Sequence, residues 1–358
     1  MEQKTFNQLL AAAVKNGASD IHIKAGAPPA LRIQGQLLPV KVPALSPDDA
    51  KGVAWFLLAG GGFQGDIEKV RDWDTSYQLE EVGRFRVNVH RQKGHFAAVL
   101  RVIPMNVPTM EELGLPPVIR KICDEKRGLV LVTGVTGSGK SSTLAAMVDV
   151  MNTSRRDHIL TIEDPIEFVH RDKNSRVTQR EIGPDTDTFA KALRAALRQD
   201  PDTILIGEMR DMETIDIALR AAETGHLVLS TVHTTDAAKT IGRLIEVFPA
   251  EAHDGLRLRL AENLRAIVSQ RLAPRAQGRG RVPVCEILIN TLAVQEYIKD
   301  PRRTSEIRDY LATNRDAYGT QSFDQHLTDL YRQGVITLDV AKALATTPSD
   351  FERALAFD

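Results

Sequence analysis

Two rhythms of apolar and polar residues divide the chain. Before residue 104, Phe6, Leu9, Leu10, Ala13 and Val14 recur at helical spacing. Short alternations at Ile21-His22-Ile23 and Leu31-Arg32-Ile33 read as strands, as do the longer stretches 84–89 and 97–103. Gly94 punctuates a hairpin between the last two. This pattern predicts a mixed α+β domain over 1–103. From 118 onward, short apolar runs at 129–133, 159–162, 204–206 and 227–230 alternate with amphipathic helical stretches. None of the four runs alternates with polar residues, as expected of strands covered on both faces of a parallel sheet. Between them, Phe189, Ala192, Leu193, Ala196 and Leu197 share one helical face, and a second, well-buried helix ends at Gly225. A doubly wound α/β core over 118–289 follows. The segment 290–358 lacks strong strand signals and reads as helical. Between the two domains, Pro104, Pro108, Pro116 and Pro117 mark 104–117 as a linker, since proline resists continued helix and central strand.

Composition narrows the function classes. Lys and Arg number 46 against 47 Asp and Glu, a formal net charge of −1, so a globally basic nucleic-acid binder is excluded while a local basic groove is not. Aromatics at 5% argue against a stacking platform for single strands. Two cysteines, Cys123 and Cys285, cannot build a disulfide framework or a four-thiolate zinc site. No apolar run approaches the ~20 residues of a membrane span, and the N-terminus lacks a signal-peptide layout. A cytoplasmic protein is the expectation, with any membrane association supplied by a partner.

One segment carries explicit chemistry. Gly134-Val135-Thr136-Gly137-Ser138-Gly139-Lys140-Ser141 fits the phosphate-loop pattern GxxxxGK[ST], and it sits between a predicted strand and a predicted helix that starts at Ser142. Gly134, Gly137 and Gly139 let backbone N–H groups converge on phosphate oxygens, with Thr136 and Ser138 between them. The helix N-terminus adds partial positive charge. Lys140 would reach the β- and γ-phosphates, and the Ser141 hydroxyl would complete a magnesium shell.

Hydrolysis of a triphosphate also needs a carboxylate near the magnesium and a group that activates water. Two apolar runs end in acids, at Glu163-Asp164 and at Glu208. Ligand chemistry collects at the carboxyl ends of parallel strands, which singles out Glu163 and Glu208. Either acid taken alone reads as readily as a helix cap or a surface charge. The run 227–230 lies between His226 and His233. His233 falls at the carboxyl end, where a neutral imidazole could contact the γ-phosphate; His226, at the other end, reads as structural or interfacial. Arg84, Arg86, Arg91 and Arg101 on the predicted hairpin are candidates to neutralise developing charge, or are solvated strand-edge residues.

Four segments in order, GVTGSGKS, TIEDPIEF, DPDTILIGEMRD and GHLVLSTVHT, resemble the type II/IV secretion ATPases. Within these the chain is similar to the type IV pilus retraction ATPases of the PilT/PilU kind, from SDIHI near residue 19 through the C-terminal helices. The resemblance implies a PAS-like N-terminal domain, a RecA-like P-loop ATPase core and a hexameric ring working with ATP and Mg2+. By motif position, Lys140 and Ser141 match the Walker A residues, Glu163 the acidic-box glutamate that polarises water, and Glu208 the Walker B acid. His226 and His233 match the histidine box. Arg84, Arg86 and Arg101 fall in the segment from which family members send arginines to the nucleotide.

Departures sharpen the resemblance. Extension and secretion ATPases usually carry an extra N-terminal domain and a tetracysteine element, whereas this chain opens on the PAS-like domain and has two cysteines. The stretch 292–299 does not match the AIRNLIRE-like segment of the PilT kind, and 263–270 and 321–331 look closer to PilU, the accessory paralogue. The implied function is an ATP-hydrolysing motor for pilus retraction and twitching, at the cytoplasmic face of the inner membrane. Its implied partners are a membrane platform protein and a paralogous retraction ATPase, with no nucleic acid. Two alternatives stand beside it: an accessory pilus ATPase with little turnover of its own, and a related secretion or DNA-transfer ATPase.

Overall fold

The computed structural model describes residues 1–103, 106–278 and 280–357. Pro104 and Met105, at the start of the linker drawn from sequence, lie outside the described residues. The chain forms two compact units. The first comprises Met1–Asn106 together with Asp164–Val169 and Glu181–Asp187, and the second holds the rest. The first unit thus takes in two short stretches from within 118–289, which a division of the sequence into consecutive blocks does not provide for.

In the first unit six strands, β1 (Ala18–Lys24), β2 (Ala30–Ile33), β3 (Gln36–Pro39), β4 (Asp72–Leu79), β5 (Gly83–Gln92) and β6 (His95–Ile103), form an antiparallel sheet in the order β3-β2-β1-β6-β5-β4. Along β5, Phe85, Val87 and Val89 are buried while the intervening residues are partly or fully exposed, the period-two alternation of a half-buried strand. Helices Gln3–Lys15 and Pro47–Gly60 supply Phe6, Leu10, Leu57 and Leu58 to the same core. The second helix starts cleanly because Ser46 and Asp49 form a reciprocal capping box.

The second unit is built on seven strands: β7 (Gly128–Thr133), β8 (His158–Glu163), β9 (Arg176–Glu181), β10 (Thr203–Ile206), β11 (Leu227–Val232), β12 (Leu264–Pro274) and β13 (Arg281–Ile289). Their order is β13-β12-β7-β11-β10-β8-β9. Strands β12, β7, β11, β10 and β8 run parallel, and β13 returns antiparallel to β12. Every position of β7, β10 and β11 is buried, so helices cover both faces of the centre. The fold is α/β. The strand signal seen in sequence ends at β11; β12 and β13 extend the sheet beyond it. Their polar residues mask them in a hydropathy pattern, yet these are buried and paired: Thr133 Oγ1 donates to Ser269 Oγ at 2.9 Å and Gln270 Nε2 to Thr143 Oγ1 at 2.9 Å.

Beyond β13 the chain is helical. Helices Phe323–Arg332, Leu338–Leu344 and Pro348–Phe357 pack Phe323, Leu327, Leu330 and Phe351 against Ala273 of β12 and against Val282 and Val284 of β13. No helix among the described residues is long and apolar enough to cross a membrane.

Candidate functional site

Strand β7 delivers the chain at Thr133 to a tight loop, and the helix Lys140–Ser154 leaves from it. Gly134, at φ +148°, admits no side chain: a Cβ there would lie 2.6 Å from the Gln270 carbonyl oxygen and closer still to Ser138 Oγ. Gly139 precedes the helix at φ +91° and, having no side chain, caps none of the first-turn N–H groups there. Val135, Thr136 and Gly137 are exposed, Ser138 and Lys140 buried, and Ser141 and Ser142 half-buried at the helix start. Lys140 Nζ donates to the carbonyls of Gly134 at 2.9 Å and Val135 at 3.1 Å, which curls the ammonium into its own loop. Ser138 Oγ is buried and lacks a hydrogen-bond partner among the described residues. Beside the loop lies a cavity of about 430 Å³ that is lined also by Thr235, Arg271, Leu272, Arg281 and Leu344. Loop N–H groups, the orphaned Ser138 hydroxyl and the buried Lys140 ammonium, gathered in one loop beside this cavity, are the donor set of a polyphosphate cradle.

The sheet ladder lines up the other candidates. Thr133 lies opposite Val232, and Ile206 lies opposite both Ser230 and Ile162. The residues just beyond these strands therefore share one edge. Side-chain and backbone bonds lace that edge together: Gly207 N–H donates to the Ile162 carbonyl at 2.8 Å, Thr231 Oγ1 to the Gly207 carbonyl at 2.7 Å, and Met209 N–H to the Thr231 carbonyl at 3.2 Å. At strand spacings of about 4.8 Å, Glu208 follows the strand two places, and Glu163 the strand three places, from the loop-bearing strand.

Glu208 and His233 come together, with His233 Nε2 3.6 Å from Glu208 Oε2. The same carboxylate oxygen is paired with Arg210 Nε at 2.7 Å. Burial, aided by the charges of Lys140 and Arg210, holds His233 below its ordinary pKa against the opposing pull of Glu208, so the imidazole is neutral at pH 7. Glu163 Oε1 accepts from Thr161 Oγ1 at 2.6 Å and from Gln179 Nε2 at 3.1 Å, which fixes the carboxylate at its strand end. His226 lies at the opposite end of β11, half-buried, with Nδ1 2.9 Å from the Ala221 carbonyl; it is remote from the loop edge.

The three arginines lie in the first unit. Arg84 Nη2 donates to Ser76 Oγ and to Glu181 Oε2, both at 2.8 Å, and Glu181 belongs to the same unit. Arg101 Nε donates to Asp20 Oδ1 at 3.0 Å. Arg86 stands directly opposite Arg101 in the ladder, is exposed, and has no partner for its guanidinium among the described residues. Sequence reasoning passed over Arg210, although it stands in a segment singled out for Glu208. It also passed over Thr235, just past His233, and over Arg271 and Arg281, whose places on the cavity wall depend on strands that the hydropathy pattern hides.

Magnesium bound to a nucleotide takes most of its ligands from phosphate and water and needs one or two protein oxygens. Ser141 at the helix start and Glu208 across the edge are hard-oxygen donors of that kind. Among the described residues there is no cluster of three or more His, Cys, Asp or Glu side chains that would form a closed metal cage.

Comparison with known proteins gives a consistent answer. Residues 80–343 match the family model described as Type II/IV secretion system protein. The chain is 46% identical to the type IV pilus retraction ATPase PilT of Pseudomonas aeruginosa, over 97% of this chain and 99% of that one. It is 41% identical to the type IV pilus ATPase PilU of the same organism, over 96% and 90%. A crystal structure of the pilus retraction motor PilT with bound ADP superposes with a TM-score of 0.85 at 44% identity, covering 97% of this chain and 98% of that one. The local segments that look closer to PilU are thus outweighed in overall identity by the rest of the chain.

Proposed function

The chain belongs to the type II/IV secretion protein family, among its PilT/PilU pilus retraction ATPases, and we propose that it is an ATP-driven ring motor that withdraws a type IV pilus. The observation that carries this reading is the polyphosphate cradle at residues 134–141 on the same sheet edge as the Glu208–His233 pair. The triphosphate of ATP takes the loop N–H groups and the Ser138 hydroxyl as donors. Lys140 exchanges its two loop carbonyls for β- and γ-phosphate oxygens. Ser141 and Glu208 would hold a magnesium ion, which would supply charge neutralisation to the triphosphate.

Glu163, held by Thr161 and Gln179, orients and polarises the attacking water. Glu208 has to leave Arg210 to serve the nucleotide, and neutral His233 beside it is placed to register the γ-phosphate. One of Arg84, Arg86 and Arg101 joins the charge neutralisation, and Arg86, without a partner among the described residues, is the readiest. His226 serves structure or a subunit contact. The assembled form is a homo-oligomer, a hexamer, at the cytoplasmic face of the inner membrane. There it acts on a pilus platform protein, with a paralogous retraction ATPase as a further partner.

Deletion of the gene, with surface pili counted and twitching scored, tests the assignment. Excess pili with lost movement support retraction. Loss of pili assigns the motor to extension instead, and unchanged piliation and movement remove it from the pilus.

A further inference from the structure

A single carboxylate outside the motifs bonds to the helix start just after Thr235 and is attracted by Arg271, and both of those residues line the nucleotide cavity. Glu286 lies in the middle of β13 and is 8% exposed. Its Oε1 accepts the backbone N–H of Ala237 at 2.8 Å. Ala237 is the first residue of the helix Ala237–Glu246 and is itself fully buried, so its N–H cannot turn to water. The helix already has an N-cap, Asp236, which accepts from Lys239 N–H at 2.9 Å and leaves the Ala237 N–H unserved. Glu286, 49 residues further along the chain, fills that place.

The segment Glu286 anchors is the four-residue loop 233–236, which begins at His233 and presents Thr235 to the cavity. The same carboxylate is attracted by Arg271, which also lines the cavity. Arg271 stacks over the Phe323 ring at 3.9 Å and donates to the Leu344 carbonyl, and Leu344 is another wall residue.

We propose that Glu286 is a positioning residue for nucleotide binding: buried between the Ala237 N–H and Arg271, it holds the Thr235 loop and the Arg271–Leu344 wall in register around the cavity. The inference rests on the reading of that cavity as the nucleotide site. Besides Ala237, the charged groups acting on Glu286 are Asp236, which repels it and is itself paired with Lys239, and Arg271 and Arg308, which attract it. Burial dominates and pushes its carboxyl up to about 7, so both protonation states are populated near neutral pH. The ionised form holds the N–H by a charge-assisted bond and draws Arg271 in; the protonated form does neither as strongly. Cavity order therefore rises with pH through neutrality.

The test is ADP affinity by calorimetry, measured on the full-length assembled protein at pH 6.5 and pH 8, for wild type, Glu286→Gln and Glu286→Ala. Gln keeps an acceptor for Ala237 but cannot ionise, while Ala removes the acceptor. The inference expects wild-type affinity to rise about fivefold between the two pH values, Gln to stay flat at the lower level, and Ala to bind more weakly than both throughout. His233 titrates equally in wild type and in the Gln variant, so the difference between their profiles belongs to Glu286. Parallel wild-type and Gln profiles overturn the inference, as does wild-type affinity in the Ala variant. Should Ala fail to fold, the Gln profile alone decides. If wild type binds no ADP at either pH, the nucleotide reading itself fails, and Glu286 is not the cause.

Discussion

Replacing Gly134 by alanine strikes the polyphosphate cradle at its tightest point. The new Cβ would lie 2.6 Å from the Gln270 carbonyl oxygen, where real Cβ atoms essentially never come within 3.0 Å. That oxygen belongs to β12, which is laddered to β7 on one side and β13 on the other, so it cannot give way. The loop must move instead, and it must also carry a side chain at φ +148°. Backbone strain of about 1–3 kcal/mol and overpacking of about 1–3 kcal/mol both apply. Gly137 is the internal control. Its φ of +78° is left-handed, but a Cβ there meets nothing within 4 Å, so alanine costs only about 1–2 kcal/mol. At roughly 2–4 °C per kcal/mol, Gly137→Ala should lower the melting temperature by a few degrees and Gly134→Ala by roughly 5 °C or more. ADP affinity, read by calorimetry, should fall by about tenfold or more for Gly134→Ala, because displaced N–H groups no longer converge. Wild-type ADP affinity and melting temperature in Gly134→Ala would refute the reasoning, as would a larger fall in melting temperature for Gly137→Ala.

Three further outcomes follow from buried groups. Arg84→Ala should destabilise the first unit by about 3–5 kcal/mol in urea denaturation, because it strands the Glu181 carboxylate, 3% exposed, with only the Ile166 N–H as partner among the described residues; an unchanged midpoint would contradict this. Burial pushes the thiols of Cys123 and Cys285 up to about 12, so neither should react with a maleimide in the native protein at pH 7.5, while both should after denaturation; rapid native labelling would count against the core as described. Glu286 titrates near 7 when folded against an ordinary value near 4.5, so the folded state holds the extra proton between those values and stability falls as pH rises through them. Glu286→Gln should therefore melt above wild type at pH 8 and converge with it at pH 5, and a gap independent of pH would be inconsistent with that titration.

What could be read from sequence was whatever is local. The four central strands announce themselves because each is continuously apolar, and the phosphate loop because eight consecutive residues carry its chemistry. Strand ends also located Glu163, Glu208 and His233, since register turns shared strand position into a shared edge. Strands β12 and β13 stayed hidden because Ser269, Gln270 and Glu286 are polar yet buried. Each is hydrogen-bonded to a partner far along the chain: Thr133, Thr143 and Ala237 respectively. The cavity wall inherits that opacity. The pairing of Arg84 with Glu181, 97 residues away, is likewise a property of the folded unit and has no local signature.

Turnover of the purified oligomer with Glu208→Gln tests the account most directly. Gln preserves shape and removes the charge at the sheet edge. The account predicts ATP binding within a few-fold of wild type and hydrolysis slower by about a hundredfold or more. Hydrolysis at the wild-type rate would take Glu208 out of the chemistry and the assembled edge with it.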